Sequence, residues 1–216
     1  MVERKLSKLE VRGSKPFECI FKCEKSIFKN VQNLYRMDVH NITSACFLIP
    51  FSTLCVSEIF LGYVVYPMFL THALTFYMSY ELVWIYIQPR IIHSFPKLII
   101  LHHIMALIYA MRPLYTPEEA YLTAYLGLVE IDTSMLVLKH IFPKNQTIRE
   151  IYLFTNVFFR VWYESFMSLV VWFLYDDKNL YVRIHVMTCQ LFFNIFSCGI
   201  CALTYRALKN KRLKDV

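Results

Sequence analysis

The sequence predicts an all-α, polytopic membrane protein. Three observations carry that expectation. The 216-residue chain is 57% hydrophobic, with 18 Phe and 15 Tyr, and only 18% charged; soluble domains run near about 25% charged. Its apolar residues fall into long runs. Its cations gather at the two ends and in the short gaps between those runs, as loops flanking membrane helices do. The formal charge of +7 is therefore read as loop charge, and no nucleic-acid partner is expected.

A spanning helix needs about 20 mostly apolar residues, because the bilayer core is ~30 Å thick and each residue rises ~1.5 Å. Six stretches meet that requirement: 40–62, 66–88, 96–115, 118–138, 150–174 and 181–207. The Gly62–Pro67 neighbourhood separates the first two. The later breaks are QPR at 88–90, RPLYTPEE at 112–119, KHIFPKNQ at 139–146 and DDKN at 176–179. Pro, Asn and charge in each break are ordinary helix punctuation. Residues 38–207 thus form a six-span domain. Residues 1–37 form a basic arm ahead of it, and 208–216 a basic tail. In the arm, Phe17, Ile20, Phe21, Phe28, Val31, Leu34 and Tyr35 follow helical spacing, with Lys22, Lys25 and Lys29 between them. That pattern suits an amphipathic helix on an anionic membrane face.

Charge gives orientation. With the N-terminus cytosolic, 19 of the 23 Lys and Arg fall in cytosolic segments. The opposite side has only Arg112, Lys178 and Arg183, and Arg160 lies inside a span. The positive-inside rule then places both termini in the cytosol. The sequons at Asn41 and Asn145 fall on the cytosolic side and are expected to be unused. The seven cysteines show no metal or disulfide framework. Most read as small apolar residues; Cys19 and Cys23, beside basic residues, are acylation candidates.

Ionisable residues inside spans are costly, so each is a functional hypothesis. His102 lies roughly 9 Å into span three from its cytosolic end, and Glu81 about 10 Å into span two. Glu130 and Asp132 lie roughly 9 to 12 Å into span four, and Asn156 and Arg160 about 9 and 15 Å into span five. Four helices place polar groups in one slab, which suggests a polar cavity near the cytosol. An imidazole beside a carboxylate can act as general base or nucleophile. His102, His103, Glu81 and Glu130 are the candidate catalytic residues. Asp132, Asn156 and Arg160 are the candidate substrate-binding residues. The plainer alternative is a packing network in which Glu130 pairs with Arg160. Among the remaining polar residues, His40 reads as a solvated histidine at the mouth of span one. Gln190 and Asn194, four apart, read as glue between helices.

Several segments together resemble the TLC-domain family, the TRAM, Lag and CLN group. They are DVHNITSA, YMSYELVW, LHHIMAL, GLVEIDTSMLVLKHIF and NVFFRVW, in that order over about residues 38–207. The pair His102–His103 matches the family's paired histidines, and Glu81, Glu130 and Arg160 fall on recurrent polar positions. The resemblance implies a six-helix barrel-like bundle, an endoplasmic-reticulum-type membrane, a lipid partner and acyl-CoA as co-substrate, with no bound cofactor or metal. Ala106 and the segment EIDTSM depart from the ceramide-synthase pattern, so the chain looks closer to the TLCD-type members. The expected activity is acyl transfer to a lipid acceptor. The competing readings are a non-catalytic lipid carrier or regulator and, least favoured, a haem electron carrier using His72 and His185.

Overall fold

The computed structural model describes the backbone of residues 16–62, 64–89, 95–176 and 178–212, and side chains within 38–206. The apolar face expected at Phe17–Tyr35, together with Cys19 and Cys23, lies outside the described side chains. Among the described residues the chain is helical throughout, with no strand. The helices are α1 (Pro16–Phe60), α2 (Pro67–Ile87), α3 (Pro96–Tyr115), α4 (Leu122–Gly127), α5 (Glu130–Ile141), α6 (Gln146–Val157), α7 (Glu164–Leu174) and α8 (Leu180–Arg212). A 3-10 turn, Pro117–Glu119, precedes α4, and a π-helical turn, Phe158–Tyr163, joins α6 to α7.

Local chemistry sets these boundaries. α1 stops at Phe60, just before Gly62, whose φ of +78° only glycine adopts without strain. The buried Glu58 carboxylate accepts the Val65 N–H and ties that turn down. α2 and α3 both begin on proline, whose missing N–H costs nothing in a first turn. Asn145 caps α6 by accepting the Ile148 N–H at 3.2 Å.

Among the described residues, four helices are long and apolar enough to cross a membrane: Asp38–Phe60, Pro96–Tyr115, Gln146–Leu174 and Leu180–Arg206. The other two expected spans differ for physical reasons. α2 has 21 residues, but its tyrosines, His72 and Glu81 dilute its apolar content. The 118–138 stretch is split into a turn and two short helices, α4 and α5. The surface fits a membrane protein. Phe76, Trp162 and Phe173 are 70–74% exposed, while Glu58, Glu81, Asp132, Asn156, Arg160, Glu164 and Gln190 are buried. This is the inverse of a water-soluble surface.

Neighbour contacts close on themselves. α1 packs on α5, α5 on α6, the π turn and α7 on α8, α8 on α3, α3 on α2, and α2 on α1. Gly127 makes one of the tightest approaches. A Cβ there would lie 2.9 Å from Cys55 Sγ and 3.1 Å from Phe51 Cε1.

Candidate functional site

The described residues of this ring line two adjoining cavities. The larger, about 650 Å³, is lined by His40, Glu81, His102, His103, Glu130 and Arg160, among other residues. Lys139 and Arg149 also line it, and its apolar wall includes Ile99, Leu136, Val137 and Leu203. The smaller, about 90 Å³, shares His102, Glu130 and Arg160 with it. It extends to Tyr109, Arg112, Glu119 and Gln190.

The structure therefore brings five of the seven expected site residues to one cavity. Asp132 and Asn156 line neither cavity. They stand behind Arg160 and hold it. Arg160 Nε donates to Asp132 Oδ2 at 2.8 Å, and Asn156 Nδ2 donates to the same oxygen at 3.1 Å. Thr155 Oγ1 donates to Asp132 Oδ1 at 3.3 Å, and an Arg160 terminal nitrogen donates to Thr133 Oγ1 at 2.8 Å. The expected alternative pairing of Glu130 with Arg160 is corrected: Asp132 is the partner. The Glu130 carboxylate makes no hydrogen bond among the described residues.

The π turn explains how Arg160 reaches inward. In a regular helix a row spaced by four residues drifts around the axis, because 3.6 residues make a turn. The wider i→i+5 turn at Phe158–Tyr163 reverses that drift. Asn156, Arg160 and Glu164 are consequently all buried. Ser197 Oγ of α8 donates to Glu164 Oε2 at 2.7 Å.

Glu81 does not touch the paired histidines. His40 Nε2 lies 2.8 Å from Glu81 Oε2, and Ser44 Oγ donates to Glu81 Oε1 at 2.6 Å. His40 is buried, with its ring edge-on to Trp84. This corrects its reading as a solvated boundary residue. His40 and Ser44 stand four apart on α1, so one helix face presents both to the carboxylate.

The two histidines of α3 have different surroundings. His103 Nδ1 lies 2.8 Å from the Ile99 carbonyl oxygen. A carbonyl can only accept, so Nδ1 carries the proton and Nε2 of the neutral ring is left as a base. His102 stacks on Phe196 at 4.2 Å, and its Nδ1 is buried without a partner. Gln190 also corrects its expected role: both ends of its amide are buried without a partner. Of the two, only Asn194 reaches α7, through Ser165 and Ser168.

At the far end of the smaller cavity, Arg112 grips Glu119 through two bonds of 2.8 and 2.7 Å, and the Tyr175 hydroxyl donates to Glu119 at 2.5 Å. No cluster of three metal-ligating side chains occurs among the described residues.

Compared with known protein families, curated proteins and solved structures, the chain matches none. The four long apolar helices and the inverted distribution of polar residues are compatible with a multi-pass membrane protein.

Proposed function

We propose that the chain is a TLC-type, six-span barrel of an endoplasmic-reticulum-type membrane, with both termini cytosolic, that transfers acyl chains from acyl-CoA. The observation that carries this reading is the larger cavity, in which apolar walls meet a histidine base, a carboxylate and a buried guanidinium. The closed order of helix contacts supports the barrel. The acyl chain lies along Ile99, Leu136, Val137 and Leu203. Lys139 and Arg149 suit the phosphates of the CoA moiety. The thioester carbonyl sits near Arg160, which stabilises the oxyanion as it forms. His103 Nε2 takes the proton of the attacking acceptor, and Glu130 stabilises the imidazolium that results.

The test uses purified protein in nanodiscs with palmitoyl-CoA. His103→Ala lowers turnover by a factor of about 10²–10⁴, the range for loss of a general base, while palmitoyl-CoA affinity and thermal unfolding stay near wild type. Turnover unchanged in that variant sinks the enzymatic reading. One observation favours a second reading, the non-catalytic lipid carrier: Glu81 and Asp132 are already satisfied by internal partners. A carrier keeps its co-purifying lipid when His103 is replaced.

A further inference from the structure

We infer that the smaller cavity holds the acyl acceptor and that this acceptor is water, so that the chain hydrolyses activated acyl groups. The inference rests on the acyl-transfer reading above. Its first support is size. At a share of about 30 Å³ per water in the liquid, a cavity of about 90 Å³ takes roughly three waters. It has no room for a second lipid chain.

The second support is chemistry. Tyr109 Oη, Gln190 Nε2, Gln190 Oε1 and His102 Nδ1 are buried without a partner, and all three residues line this cavity. Three of the ionisable neighbours are paired, Arg112 with Glu119, Arg160 with Asp132 and Glu164 with Ser197, while the Glu130 carboxylate has no hydrogen-bond partner among the described residues. The unpaired atoms have almost no open surface as placed, so it is by turning toward the space their residues line that these groups meet an occupant that both donates and accepts. A hydrocarbon does neither. An ammonium group cannot accept from the Gln190 amide. Water does both.

The third support is position. His102, Glu130 and Arg160 line both cavities, so water held in the smaller one stands beside the place assigned to the thioester carbonyl. The water oxygen bonds to the carbonyl carbon and its proton passes to His103 Nε2. The tetrahedral intermediate then collapses and the C–S bond breaks. The thiolate takes the proton back from His103, and the products are a fatty acid and a free thiol. No other co-reactant is needed.

The experiment supplies palmitoyl-CoA to the nanodisc protein in ¹⁸O-labelled water. The expected product is singly labelled palmitate. Its yield is undiminished by 1-hexadecanol or hexadecylamine, and methanol, which fits the cavity, diverts part of it to methyl ester. Tyr109→Phe and Gln190→Leu remove groups with no protein partner, so both variants fold. They are expected to bind palmitoyl-CoA within twofold of wild type and to hydrolyse it at least tenfold more slowly. Preferential transfer to hexadecanol or hexadecylamine overturns the inference, as does wild-type hydrolysis in both variants; either result leaves acyl transfer standing. Binding without turnover in the wild type overturns it in favour of the carrier. Absence of palmitoyl-CoA binding overturns the underlying reading instead.

Discussion

Arg160 and Asp132 show how one ion pair can hold a side chain at a cavity wall. The guanidinium contacts Asp132 and Thr133, and Asp132 is in turn held by Asn156 and Thr155. Both charges are buried, so removing one partner strands the other. Breaking such a pair costs about 3–5 kcal/mol, whereas replacing both with apolar groups is often close to neutral. Asp132→Ala is therefore expected to lower the unfolding temperature sharply, and Asp132→Leu with Arg160→Met to recover much of the loss. Equal and additive losses in a double-mutant cycle would show that the two residues act independently. The residue scale also shows where the sequence misleads. That Glu81 and Asp132 sit among apolar residues was legible, but their partners were not. Glu81 and Glu130 line the same cavity, yet His40 and Ser44 reach only Glu81, because side-chain direction is fixed by how α1 packs against α2.

At the scale of elements, the broken 118–138 stretch carries the closest packing. Gly127 lets α4 approach α1, and an added methyl meets Cys55 Sγ and the Phe51 ring. Gly127→Ala is expected to cost about 1–3 kcal/mol through overpacking, despite the better helix propensity of alanine. Thermal unfolding in detergent checks this, and an unchanged or raised midpoint would contradict the packing argument. Helix existence here was legible from apolar runs and proline or asparagine breaks. The short helices α4 and α5 and the π turn were not. Apolar length reports what lipid tolerates and says nothing of the neighbours these short pieces meet: α4 packs on α1 and α2, α5 on α1 and α6, and the π turn on α8. Gln190 illustrates the same limit. Its i, i+4 relation to Asn194 suggested two residues gluing helices, but α7 offers serines only to Asn194.

For the whole molecule, orientation is the most direct test. Single cysteines introduced at position 2 and position 178 in a cysteine-free background are expected to label from opposite sides of sealed microsomes. Labelling of both from one side would break the six-span reading. The visible spectrum of the purified protein is expected to lack a Soret band, and its presence would revive the haem alternative. The Arg160–Asp132 pair also has a consequence for biogenesis. An arginine at the centre of a helix raises the apparent cost of leaving the translocon by about 2.5–3.5 kcal/mol. Its counter-charge lies on the preceding element, joined through the short connection around Phe142–Asn145. The segment Gln146–Leu174 is thus best released into lipid together with Glu130–Ile141, as a hairpin that carries its own neutralising charge. Ribosome-bound intermediates truncated beyond Leu174 should show the pair leaving the translocon in one step.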